Sequence, residues 1–161
     1  MSANLLEHIK YTDAKLSDLD NIFNLESNSY DHPWTIGILR DCLVNHYDFY
    51  KAEYNNNLIG YIISKISIYE THILNLTVSK DYRQKGIATE LLEMIFAKCY
   101  IMNSLNIFLE TRVNNTPAIK LYEKHNFRRI SIRKNYYQTS DGKQDAIIVL
   151  KRYYLKLRLW I

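Results

Sequence analysis

The stretch LNLTVSKDYRQKGIATELLEMIFAKCYIM, residues 74–102, carries three readings in succession. Its opening residues complete an apolar, β-branched run over 71–78 that predicts a strand. Residues 80–85 are polar and basic, as a turn requires. From residue 86 to 102, Ile87, Leu91, Met94, Ile95 and residues 98–101 trace one face of a long amphipathic helix. A helix start leaves backbone N–H groups without intrahelical partners, and the aligned peptide dipoles add partial positive charge there. Arg83 and Lys85 bring two cations, and Gly86 permits close backbone approach to a pyrophosphate, so residues 83–88 suit an anion cradle. An ordinary surface turn with two solvated cations is the other reading of the same residues. Neither GxxxxGK[ST] nor GxGxxG is present.

Working outward, Leu16, Leu19, Ile22, Phe23 and Leu25 share a helical face, with Ser17 or Asp18 at its start. Residues 35–45 repeat the pattern after Pro33, leaving 28–34 as an exposed link. The period then changes to two: residues 49–54 and 58–68 predict a hairpin around the turn 55–57. Downstream, 105–110 predicts a short strand, and Thr116 with Pro117 an N-cap and first turn for a helix ending near His125. Residues 127–133 and 145–151 predict a closing strand pair around Asp141 and Gly142. Strands on both sides of two helices, with hairpins at both ends, indicate an α/β fold with a mixed central sheet flanked by helices.

A chain of 161 residues, 47% hydrophobic, suffices for one core and one domain, with a core of about 5–152 and an extension over 153–161. In that extension Tyr153, Leu155, Leu157 and Leu159 alternate with Tyr154, Lys156, Arg158 and Trp160, as in a strand extension or an interaction edge. The first ten residues lack a secretory pattern, and no apolar run spans a bilayer. Cys42 and Cys99 have neither metal-ligand nor disulfide spacing, and the five histidines are scattered, so a reducing cytoplasmic setting and no metal are expected. The net charge of +4, with Lys and Arg concentrated near 128–134 and from Lys151, suits an anionic ligand without demanding stable nucleic-acid binding.

The run from Arg83 to Ala88 resembles the R/Q-x-x-G-x-G/A signature of GNAT acetyltransferases. Leu109, Glu110, Thr111, Arg112, Asn114, Asn115, Ala118, Ile119, Leu121, Tyr122 and Phe127 resemble the LEVR-x-x-N-x-x-A-I-x-L-Y-x-x-x-G-F stretch of its RimI group. Asn135, Tyr136 and Tyr137, the run Asp145, Ala146, Ile147, Ile148, and Pro33 with Trp34 match three further elements, so the likeness covers about residues 16–149. His32 stands where an aromatic usually precedes Pro33, and Asn126 where a Gly precedes Phe127; Asn tolerates positive φ better than most residues.

The resemblance implies the GNAT fold, in which strand 74–78 splays from strand 105–110 to hold acetyl-CoA. It implies donor contacts from Leu76, Thr77, Val78, Arg83, Gln84, Lys85, Gly86, Ile87, Ala88, Thr89 and Asn115, with a backbone N–H near Val78 serving the oxyanion. Asn115 is equally suited to an N-cap. Glu110, ending its apolar strand, is the implied base, directly or through one water, and Tyr122 the implied acid toward the thiolate. A solvated strand-end charge and a packed helical tyrosine are the plain alternatives. Trp34, Tyr136 and Tyr137 are expected to wall the acceptor's entrance, or else to be strand-face aromatics. RimI proteins acetylate the N-terminal α-amine of the eighteenth small-subunit ribosomal protein. An α-ammonium ordinarily titrates at about 7.7–8.0, against about 10.4 for lysine, and so asks less of a carboxylate base. Another acceptor (lysine, small amine, aminoacyl-tRNA) and a non-catalytic acyl-CoA-binding module are the competing functions.

Overall fold

The computed structural model describes residues 6–153. In chain order these form β1 (Lys10–Asp13), a 3-10 turn (Leu16–Asp18), α1 (Leu19–Ser29), α2 (Ile36–Val44), β2 (Asp48–Tyr54), β3 (Asn57–Ile66) and β4 (Glu70–Val78). A second 3-10 turn (Lys80–Tyr82), α3 (Ile87–Ile101), β5 (Asn106–Arg112), α4 (Thr116–Lys124), β6 (Arg128–Thr139) and β7 (Gly142–Arg152) follow. These are the elements of a mixed α/β fold. They gather into two compact units, residues 6–65 with 73–98 and residues 66–72 with 99–153.

The first unit orders its strands β1-β2-β3-β4. The β2–β3 hairpin closes with Tyr54 opposite Asn57 over Asn55 and Asn56, whose φ values of 50° and 63° Asn accepts at small cost. β3 is buried through its middle, Ile59 to Ser64, as a central strand should be. Ile22, Leu39, Cys42, Phe49, Tyr61 and Ile63 form a core cluster, with Trp34 packed against it. β1 was not expected from the sequence. At four residues, with one half-buried and three exposed, it has too little alternation to announce itself.

In the second unit the order is β5-β7-β6, all antiparallel. The closing hairpin is longer than the predicted strand pair because β6 continues to Thr139. Two irregularities accompany the extra length: Arg129 and Ser131 face consecutive residues Val149 and Ile148, and the four steps from Arg133 to Tyr137 match the two from Ala146 to Gln144. α4 begins one residue away from the expected arrangement. Asn115, not Thr116, is the N-cap, its side chain accepting from the Ala118 N–H at 3.3 Å, while the Thr116 N–H is taken by the Asn114 carbonyl at 2.9 Å. At the other end Asn126 adopts φ 64°, as its replacement of a Gly anticipates, and the Phe127 N–H returns to the Tyr122 carbonyl at 3.0 Å. Of the C-terminal extension only Tyr153 is among the described residues, its N–H donating to the Leu105 carbonyl at 2.8 Å; the alternation over 154–161 lies outside them.

Candidate functional site

The turn read as an anion cradle lies between the second 3-10 turn and α3. Gln84 at φ 59° and Gly86 at φ 88° both take left-handed backbone, so the chain coils before the helix begins, the kind of conformation from which anion-binding concavities are made. Gly86 is required there by its φ, and a Cβ would in addition meet Leu6 Cδ1 at 3.3 Å. Both cations are held by the turn itself. The Arg83 Nε–H donates to the Val78 carbonyl at 3.1 Å, and the Lys85 ammonium donates to the Asp81 carbonyl at 2.7 Å while lying over the Tyr82 ring. Of the remaining residues expected to contact the donor, Ala88 and Thr89 are half-buried in the first turn of α3, and the Ile87 side chain is buried.

The strand ahead of this turn is set by a glycine that the sequence reading did not single out. A Cβ on Gly60 of β3 would meet the Thr77 carbonyl oxygen at 3.0 Å, with Val78 and Ile87 side-chain atoms at 3.4 Å. Leu76 and Val78 are half-buried, whereas the Thr77 side chain is buried and turned into a polar cluster around Glu26. Its side chain is thereby committed to the interior. The Trp34 ring packs on the core cluster, so Trp34 fixes the end of the 28–34 link before it can wall anything.

In the second unit, β5 alternates buried Ile107, Leu109 and Thr111 with half-buried Phe108, Glu110 and Arg112. Glu110 does not end the strand, as expected from its apolar run; pairing with β7 continues through Thr111 opposite Ile147 and Arg112 opposite Ala146. Its carboxylate is engaged. Arg133 Nη1 lies 2.8 Å from Glu110 Oε1, with side-chain exposures of 51% and 24%, and the Tyr136 hydroxyl donates to the same carboxylate. That bond is the leading cause pushing the Tyr136 hydroxyl above the ordinary tyrosine range, since ionising it would forfeit the donor and set a phenolate beside a carboxylate.

The aromatic pair is built by the wider irregularity of β6. Asn135 at φ 55° gives its N–H to Asp145 Oδ1 at 2.8 Å, which turns Tyr136 and Tyr137 edge to face at 5.0 Å. Arg133 lies over the Tyr136 ring at 4.9 Å and Arg112 over the Tyr137 ring at 4.5 Å. Arg112 is itself held by the Gln138 carbonyl and Gln144. The structure thus brings Glu110 and Tyr136 together, with Tyr137 beside them. Arg133 and Arg112, to which the sequence reading gave no role in the site, complete the cluster; the available signals were Arg133's place in the basic run before Asn135 and Arg112's place in the stretch that carries Glu110. Tyr122 is 7% exposed, with its ring edge against Phe127 at 5.7 Å. Among the described residues no three His, Cys, Asp or Glu side chains converge as metal ligands, and no helix is long and apolar enough to cross a membrane.

Comparison with known proteins gives a consistent result. The family model described as acetyltransferase (GNAT) family matches residues 16–127. The chain is 29% identical over 133 residues to the ribosomal protein bS18-alanine N-acetyltransferase of Escherichia coli (strain K12), covering 83% of this chain and 90% of that protein. The crystal structure of the ribosomal-protein-S18-alanine N-acetyltransferase from Escherichia coli superimposes with a TM-score of 0.86 at 26% identity, covering 95% of this chain and 99% of that one. A crystal structure of the NatC complex bound to Gag peptide and CoA gives a TM-score of 0.81 at 27% identity, covering 91% of this chain and 99% of the matched one.

Proposed function

Because the chain belongs to the acetyltransferase (GNAT) family, with the GNAT fold and the activity of an N-acetyltransferase, we propose that it acetylates the N-terminal α-amine of a protein, the eighteenth small-subunit ribosomal protein, from acetyl-CoA. The observation that carries the reading is the Glu110 carboxylate, half-buried on β5 and oriented by Arg133 and Tyr136. A carboxylate offers about four lone-pair directions, so these two partners leave acceptor capacity for an amine proton or one bridging water. The relative named for alanine N-acetylation of bS18 supports the choice of acceptor.

Acetyl-CoA supplies the acetyl group as a thioester. Backbone N–H groups of the turn from Arg83 to Ala88, with Thr89, hold its pyrophosphate, and the backbone of Leu76, Thr77 and Val78 holds its pantetheine arm, with a Val78 N–H serving the oxyanion. The left-handed Gln84 and Gly86 fit that task, because only such backbone gathers several N–H groups without side chains in the way. Glu110 takes the proton from the attacking amine, and Tyr122 gives one to the departing thiolate. Asn115 caps α4 and lies in the family's coenzyme-contact position. Trp34, Tyr136 and Tyr137 border the acceptor.

Incubating the protein with acetyl-CoA and a peptide bearing the ribosomal protein's N-terminus, beside its α-blocked form, tests the reading. Mass spectrometry is expected to find one acetyl group on the free peptide and none on the blocked one. Acetylation of the blocked peptide moves the acceptor to a side-chain amine. Coenzyme binding without acetylation of either peptide, lysine, small amines or aminoacyl-tRNA makes the chain an acyl-CoA-binding module.

A further inference from the structure

Glu26 lies on α1 at the i+4 position from Ile22, on the face that feeds the core, and is 1% exposed. An aliphatic side chain would serve packing there at no electrostatic cost, whereas a buried carboxylate carries a heavy desolvation penalty unless its oxygens are hydrogen-bonded. They are well supplied, and by neutral groups. Oε1 accepts from the Trp34 N–H at 3.0 Å and Asn75 Nδ2 at 3.3 Å, and Oε2 from the Tyr61 hydroxyl at 2.5 Å and the Thr77 hydroxyl at 3.3 Å. The single Thr77 proton is shared among three acceptors within reach, Glu26 Oε2, the Tyr30 oxygen at 3.1 Å and Asn75 Oδ1 at 3.0 Å, while the Tyr30 hydroxyl donates to the Leu76 carbonyl at 3.3 Å.

These partners come from three places: β3, β4 and the two ends of the link between α1 and α2. Residues 31–34 have no helix or strand to hold them. What fixes the link is Tyr30 on Leu76 at one end and Trp34 on Glu26 at the other, with the Thr77 hydroxyl within reach of both anchors. Tyr30 is 39% exposed, so the cluster begins in the core and ends at the surface.

We propose that Glu26 is a positioning residue that pins the 30–34 link to β4 and thereby sets recognition of the acceptor, not of the acetyl donor. The proposal rests on the reading above, in which the link borders the acceptor. It gives a buried acid with no part in proton transfer a defined duty: the acceptor meets a preset wall and need not order one on binding.

Glu26→Ala, Glu26→Gln and Tyr30→Phe test it in the full chain. A glutamine keeps Oε1 for Trp34 and Asn75, and its amide faces Tyr61 and Thr77, whose hydroxyls accept as readily as they donate. Glu26→Ala is expected to raise the acceptor KM about tenfold or more, with kcat and the acetyl-CoA KM within about threefold, and Glu26→Gln to restore the acceptor KM. Should the alanine variant fail to fold, Tyr30→Phe, which removes only the surface-end hydroxyl, is expected to raise the acceptor KM about threefold at unchanged kcat. An unchanged acceptor KM, a parallel change in both KM values, or a Gln variant as impaired as the Ala variant overturns the proposal. Amide hydrogen exchange separates this outcome from failure of the acceptor assignment, because it needs no acceptor. Loss of Trp34 N–H protection in Glu26→Ala and its retention in Glu26→Gln support the pin even if no α-amine peptide is acetylated; a Trp34 N–H still protected in Glu26→Ala overturns it.

Discussion

The first unit buries Glu26 and the second half-buries Glu110, and the two carboxylates are handled in opposite ways. Glu26 sits in the core with the Trp34 N–H, the Asn75 amide and the Tyr61 hydroxyl donating to it and the Thr77 hydroxyl within reach, and has little acceptor capacity left. Glu110 has one guanidinium and one phenol, and its side chain retains 24% exposure. Burial with saturated hydrogen bonding makes an anchor. Partial burial with spare acceptor capacity is what the base proposed for Glu110 requires, and the difference lies in the partners, since the residue is the same.

The sharpest way to break that contrast is to neutralise the second carboxylate. Glu110→Gln keeps a bond to Arg133 through its carbonyl but cannot accept the amine's proton, so kcat for the free-amine peptide is expected to fall by about 10²-fold or more. Acetyl-CoA affinity, measured by calorimetry, is expected to hold. If the Gln variant turns over at the normal rate, Glu110 is a positioning acid like Glu26 and the two regions no longer differ in kind.

A smaller effect sharpens the donor side. Gly86→Val places a β-branched residue at φ 88°, a conformation that costs about 1–3 kcal/mol for such a side chain. Relaxing the turn to relieve that strain disperses its N–H groups, and coenzyme affinity is expected to weaken about tenfold, the equivalent of about 1.4 kcal/mol. An unaltered Kd would return the turn to an ordinary surface loop whose cations serve only their own carbonyls.

What the sequence made legible follows the range of the interactions concerned. The strand, turn and helix around Gly86 were readable because each rests on periodicity or backbone conformation within a few residues. Glu26 was not: three of its partners, Tyr61, Asn75 and Thr77, stand 35, 49 and 51 residues away, and only the folded β3 and β4 reveal that a charge fills a core position. Glu110 was picked out through family likeness, but its engagement was hidden, because Arg133 is brought to it by the β5-β7-β6 order and the irregular register of β6. The end of β5 was misjudged for a related reason: Thr111 and Arg112 look polar in sequence yet pair with β7.

The sequence left the N-cap of α4 open because Asn115 and Thr116 are both competent acceptors, and the structure's choice of Asn115 yields the finest test. Asn115 caps α4 through Ala118 as Thr35 caps α2 through Ile38, each at 3.3 Å, one in each unit. Removing either cap by substitution to Ala costs about 1 kcal/mol, a Tm drop of about 2–4 °C in a chain of this size. Thermal denaturation should therefore not tell the two variants apart. Coenzyme affinity should, because Asn115 alone is assigned a second duty at the donor: Asn115→Ala is expected to raise the acetyl-CoA KM about threefold and Thr35→Ala to leave it level, a difference of about 0.6 kcal/mol. Equal KM values would make Asn115 a cap and nothing more, its place in the family motif explained by the helix that carries Tyr122.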